Sequence, residues 1–137
     1  MQIDKKCVSF KLAQKMKKLG FNYEIENYWV IPKYRSKTAY LATGGLARAI
    51  RIDLELNRRE GFEEVYLAPD VIELLAILPK AFNQDDLHLN IDFENEEIFC
   101  INYINVHTDI TEYSTQNKSF IDALAEMWCL LKEKGII

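Results

Sequence analysis

The side chains in this sequence best suited to proton transfer, metal ligation or nucleophilic attack are two histidines and three cysteines. His88 stands among Asp86, Asn90 and Asp92 at two-residue steps. On an extended strand those residues share one face, which would bring an imidazole close to carboxylates, as general-base or metal chemistry requires. The same alternation sends Leu87, Leu89, Ile91 and Phe93 to the opposite face. The His88 side is therefore the solvated one, and an exposed strand histidine is the simpler expectation. His107, beside Thr108 and Asp109, reads the same way. Cys7, Cys100 and Cys129 are far apart and odd in number, so neither a disulfide framework nor metal-ligand spacing is expected, only buried or half-buried free thiols. Asp85, Asp86, Glu94, Glu96 and Glu97 lack the spacing and the glycine of a calcium loop. Thr43-Gly44-Gly45-Leu46 could offer free backbone N–H groups to an anion at a helix start, but it lacks the Lys-Ser/Thr end of a phosphate loop. There is no serine nucleophile elbow. The expectation is a protein that is not an enzyme, with no catalytic residue, no metal site and no cofactor.

A second kind of chemistry has more support. From Tyr28 and Trp29 through Lys33, Tyr34, Arg35 and Lys37 to Tyr40, aromatic rings alternate with cations. Rings can stack on bases while lysine and arginine neutralise phosphates. Lys11, Lys15 and Lys18 recur at i, i+4, i+7, with Lys17 beside them, and would form a basic stripe if their segment is helical. Lys11, Lys15, Lys18, Lys33, Tyr34, Arg35 and Lys37 are thus the candidate nucleic-acid-binding residues. The competing reading places Trp29 and some of the tyrosines in the core of a strand.

The formal net charge of −4 conceals an asymmetry. Residues 1–59 hold 13 Lys/Arg against 5 Asp/Glu, and residues 60–126 hold 2 against 15. Such segregation marks an interaction surface unless the fold interleaves the two stretches. The acidic part would repel a polyanion at long range, so only a local patch could bind nucleic acid.

These residues must be positioned by a chain of 137 residues, 49% hydrophobic and 28% charged, which is ordinary for one globular domain spanning 1–137. No apolar run reaches the roughly 20 residues of a membrane helix, and the start Met1-Gln2-Ile3-Asp4-Lys5-Lys6 lacks the apolar stretch of a secretory signal. A cytoplasmic location without membrane partners is expected.

Residues 9–20 predict a helix, with Ser9 as N-cap, Leu12, Met16 and Leu19 inward, and Gly20 as the stop. Residues 22–31 predict a strand ending at Pro32, and residues 38–42 a short returning strand. Residues 43–60 carry two periods. Leu46, Ala49, Ile50 and Leu54 suit a helix ending at Gly61, whereas Ile50, Ile52, Leu54 and Leu56 alternate as in a half-buried strand. Helix propensity tips the balance to helix. A short extended piece follows at 63–67. A helix then starts at Pro69, with Val71, Leu74, Leu75 and Leu78 on one face, and stops at Pro79. Residues 87–104 predict a hairpin turning at Asn95-Glu96, with Phe99, Ile101 and Tyr103 on its buried face and a further strand over 106–113. The last helix has Ser119 and Asp122 at capping-box spacing, Phe120, Ala123, Leu124, Met127 and Leu131 inward, and Gly135-Ile136 as its stop.

Three segments, residues 8–21, 68–79 and 122–137, resemble in this order small uncharacterised proteins encoded in phages, prophages and other mobile elements of gut bacteria. The resemblance covers both ends and one middle helix, and skips residues 33–67. It implies an accessory role and a helix–strand–helix–hairpin–helix layout, and it brings no functional residues with it.

The sequence thus predicts an α+β fold: an antiparallel sheet of about four or five strands with both terminal helices and the short proline-initiated helix packed on one face. The expected function is a non-enzymatic protein–protein interaction module of phage-accessory type, its partner another protein or a second copy of the chain. The alternative is a nucleic-acid-associated protein using the local basic and aromatic patch.

Overall fold

The computed structural model describes residues 6–34, 38–58 and 61–137. The fold is α+β, with four helices and two antiparallel sheets among the described residues. Where one sheet was expected, the strands divide between two, because the chain forms two compact units, Cys7–Asp70 and a second containing Val71–Ile137.

In the first unit, α1 (Phe10–Lys18) precedes β1 (Tyr28–Pro32), β2 (Tyr40–Ala42), α2 (Gly44–Glu55) and β3 (Phe62–Leu67). The sheet order is β2-β1-β3. Ser9 is at the N-cap of α1, but its side chain makes no capping hydrogen bond to the helix. Its end is closed as predicted: Gly20 has φ +88°, its N–H reaches the Lys17 carbonyl at 3.1 Å, and the Phe21 N–H reaches the Met16 carbonyl at 2.9 Å. This paired arrangement satisfies the last carbonyls while Phe21 and Met16 are both buried. Pairing of Tyr28 with Ala42 and Leu67, and of Val30 with Val65, puts these residues on one sheet face. That face packs on Ala47, Ile50 and Leu54 of α2, with Phe62 completing the cluster. Trp29 and Tyr66 pair on the opposite face, where the Phe10 ring lies 5.7 Å and 5.5 Å from their centroids.

The helical reading of 43–60 holds over Gly44–Glu55, but its stop differs, and Leu46 and Ala49, expected on one face with Ile50 and Leu54, are exposed instead. Asn57, at φ +57°, ends α2 instead of Gly61, with Asn57 N–H to the Leu54 carbonyl and Arg58 N–H to the Asp53 carbonyl. Asparagine tolerates the left-handed region because its short amide makes local hydrogen bonds. The predicted strand over 22–31 begins only at Tyr28 and includes Pro32.

In the second unit, α3 (Val71–Ile77) and β4 (Ala81–Phe82) precede β5 (Leu87–Glu94), β6 (Ile98–Asn105), β7 (Thr111–Asn117) and α4 (Phe120–Glu133). The four strands form a meander in chain order. The predicted hairpin turns at Asn95 and Glu96, both at positive φ, with Glu97 N–H to the Glu94 carbonyl at 3.2 Å. The further strand starts at Thr111, later than expected, since 106–110 form the connecting loop. The helix expected from Pro69 begins at Val71. In α4, Ser119 Oγ accepts the Asp122 N–H at 3.3 Å, and Gly135 and Ile136 close the other end on Lys132 and Leu131. The inner face of α4 packs on β6 and β7: Phe120 stacks on Phe99 at 5.1 Å and Thr115 Oγ1 donates to the Ala123 carbonyl at 2.8 Å. Ile101, Tyr103, Leu124, Met127, Trp128 and Leu131 are fully buried in this core.

Candidate interaction surfaces

The histidines do not form a sheltered site. His107 Nε2 meets Asp86 Oδ1 at 3.1 Å, with the histidine side chain 73% exposed. His88 is exposed, its Nε2 2.8 Å from the Asp85 carbonyl oxygen. All three cysteines are buried free thiols. Cys100 lies under Glu94, Sγ to Oε2 3.9 Å, and burial together with Glu94 and Asp92 pushes its thiol upward, away from the nucleophilic thiolate. Among the described residues no group of three His, Cys, Asp or Glu side chains is placed to hold a metal ion. No described helix is long and apolar enough to cross a membrane.

The aromatic and basic segment is taken apart by the fold. Tyr28 is buried, its hydroxyl 3.3 Å from Arg51 Nε. Arg51 also donates to the Ile25 carbonyl at 3.0 Å, and Tyr28 holds it more firmly protonated. Trp29 is half-buried and donates Nε1–H to the Val8 carbonyl at 2.8 Å. Tyr34 is exposed, with Lys33 Nζ 5.9 Å from its ring centroid. Arg35 and Lys37 lie outside the described residues. Lys11, Lys15 and Lys18 occupy the exposed stripe of α1, opposite the buried Ala13 and Met16. Lys17, beside that stripe, turns to β3 instead: its ammonium pairs with the Glu64 carboxylate, donates to the Val65 carbonyl at 3.2 Å and lies 4.8 Å from the Tyr66 ring centroid. The structure therefore joins Lys33 to Tyr34 and the three α1 lysines to one another, while Tyr28 and Trp29 serve packing.

A cleft of about 260 Å³ in the first unit is lined mainly by Ala13, Phe21, Leu54, Val65 and Leu67. Of its polar members, Lys17 and Tyr28 are committed to Glu64 and Arg51, and the exposed Asn22 alone does not make the convergent set of polar groups that marks a ligand site.

The feature that sequence reasoning missed is on α2. Leu46, Ile52 and Leu56 are 51%, 45% and 59% exposed, and Ala49 between them is also exposed. At about 100° per residue these four share one stripe, turned away from Ala47, Ile50 and Leu54. The signal was the strict alternation from Ile50 to Leu56. On a strand it would define one face; on a helix a step of two residues is about 200°, so alternation loads opposite sides. Arg48 and Glu55 lie seven residues apart along one flank of the outer stripe.

The charge asymmetry survives folding. Residues 7–70 contain 11 Lys/Arg and 8 Asp/Glu, whereas 71–137 contain 4 and 12. Comparison of the chain with protein-family models, with curated proteins and with solved structures finds no match.

Proposed function

We propose that this chain is a non-enzymatic protein–protein interaction module whose partner is a second copy of itself, joined α2 to α2. The carrying observation is the outer apolar stripe of Leu46, Ala49, Ile52 and Leu56, whose side chains stay about half exposed. Exposed apolar stripes of this kind mark association surfaces. The stripe is self-complementary when two helices run antiparallel: Leu46 opposes Leu56, Ala49 opposes Ile52, and on the flank Arg48 of each copy opposes Glu55 of the other. A two-fold interface of this type is the commonest in homo-oligomers. The helix of 12 residues is roughly 18 Å long. It contributes less than the ~800 Å² per partner of a standard interface, which places the association in the weak, transient class.

Sedimentation velocity over a concentration series tests this. The native chain is expected to shift towards dimer, Ile52→Glu to stay monomeric, and Arg48→Glu to weaken association about tenfold. The double variant Arg48→Glu/Glu55→Arg is expected to restore it. A native chain that stays monomeric to millimolar concentration, or a dimer indifferent to Ile52→Glu, overturns the proposal.

A second reading, nucleic-acid binding, rests on the exposed Lys11, Lys15 and Lys18 stripe. It is weaker because Tyr28 and Trp29 are spent inside the first unit. Labelled duplex and single-stranded DNA would bind at low salt, and replacing the three lysines by alanine would cost about tenfold or more in affinity. Equal affinity in the triple variant removes this reading.

A further inference from the structure

The second unit carries an open sheet edge with a distinctive side-chain pattern. β4 pairs with β5 only at His88 and Leu87, and Leu89 N–H adds one bond to the Lys80 carbonyl at 2.9 Å. Beyond it, no described strand lies along the outer side of Asn90–Glu94. Antiparallel pairing alternates the direction of backbone groups. Since Leu89 N–H points outward, the N–H and C=O of Ile91 and Phe93 point outward too. The Phe93 N–H is closed off by Asp92 Oδ1 at 2.7 Å. This leaves the Ile91 pair and the Phe93 carbonyl to recruit another strand.

The two faces beside that edge differ in chemistry. Ile91 and Phe93 pair with Ile101 and Phe99 on the face that α4 covers over β6 and β7, but they extend past the helix and remain 42% exposed each. The other face carries Asn90, Asp92 and Glu94, all exposed. The whole span 81–117 has eight Asp/Glu and no Lys or Arg. An added strand must meet both faces at once, because paired residues share a face. We infer that the β5 edge binds an extended segment of another protein in which apolar side chains alternate with lysine or arginine. The apolar ones cover Ile91 and Phe93, and the cations face Asp92 and Glu94.

Charge selects this occupant over a second β5. Two copies of this edge would bring Asp92 and Glu94 against their own kind, which disfavours pairing. Asp92 also acts as a latch. While it holds the Phe93 N–H, the edge is blunted against indiscriminate pairing. An incoming carbonyl takes over that N–H and releases the carboxylate to the incoming cation. The surface is on a different unit from α2 and does not depend on dimer formation.

The test uses the full chain in the Ile52→Glu background, so that α2 pairing does not intervene. Synthetic seven-residue peptides alternating Val or Ile with Lys, Glu or Ser are titrated, with amide hydrogen exchange read at Ile91 and Phe93. The lysine peptide is expected to bind at least about tenfold more tightly than the glutamate peptide and to slow exchange at both amides. Asp92→Asn/Glu94→Gln should shrink that preference to about twofold or less while the serine peptide still binds. A lysine peptide N-methylated along the edge that meets β5 should lose binding without any change to the protein. Binding that maps away from β5, that survives N-methylation, or that is as tight for the glutamate peptide overturns the inference.

Discussion

Tyr103 donates its hydroxyl to the Pro79 carbonyl at 2.7 Å, and its ring lies 4.8 Å from that of Phe82. Burial pushes its phenol well above the ordinary value of 10.0, as burial and two acids push Cys100 above 9.0. Both groups hold their proton more tightly in the folded chain than in the unfolded one. Their contribution to stability is therefore complete below those ordinary values and lost as pH rises past them. Urea unfolding between about pH 8 and 11 should show falling stability on the alkaline side. Tyr103→Phe should cost about 1 kcal/mol at pH 8 through the lost hydrogen bond, and should flatten the alkaline decline. An unchanged slope in the variant would assign the decline elsewhere. At this scale much of the sequence was legible: His88, His107 and the hairpin acids Asp92, Glu94, Glu96 and Glu97 were expected in solvent and the thiols inside, and that is where they are, although Asp122 is buried.

At the scale of the element, ends were easier to read than faces. Gly20 and Gly135 were expected to stop helices and do so, because only the left-handed conformation there lets the last carbonyls find N–H partners. Ser119 was expected to cap α4, and Ser119→Ala should lower stability by about 1 kcal/mol in thermal unfolding, with little change in the folded spectrum. A loss below about 0.3 kcal/mol would mean that other groups satisfy the Asp122 N–H. Asn57 was missed as a stop because asparagine is a weaker signal than the glycine four residues on. The faces of α2 were misleading for a better reason: periodicity counts apolar residues without saying how many sides are buried, and α2 is apolar on two.

At the scale of the whole molecule, the charge separation along the chain becomes a separation between compact units, the second of which is strongly acidic. Long-range fields of this kind steer association more than they strengthen it, and salt screens them. Salt also screens the Arg48–Glu55 pairs of the proposed α2 dimer, which should weaken severalfold between about 50 and 500 mM salt without vanishing, since its apolar stripe is not screened. Abolition by salt alone would point to a purely electrostatic contact. No such loss should occur for Ile52→Glu, which has no dimer to lose.

By itself the sequence determined the α+β class, nearly every element, the stop of the first helix, both ends of the last and the hairpin with its turn. These follow from contacts within a few residues: periodicity, capping and turn chemistry are local. Only the tertiary structure decided that the strands divide into two sheets, that Trp29 and Tyr28 belong to packing while Tyr34 does not, and that Ile91 and Phe93 run beyond the cover of α4. Each depends on which distant segment arrives to pair or to cover, and no local pattern records that.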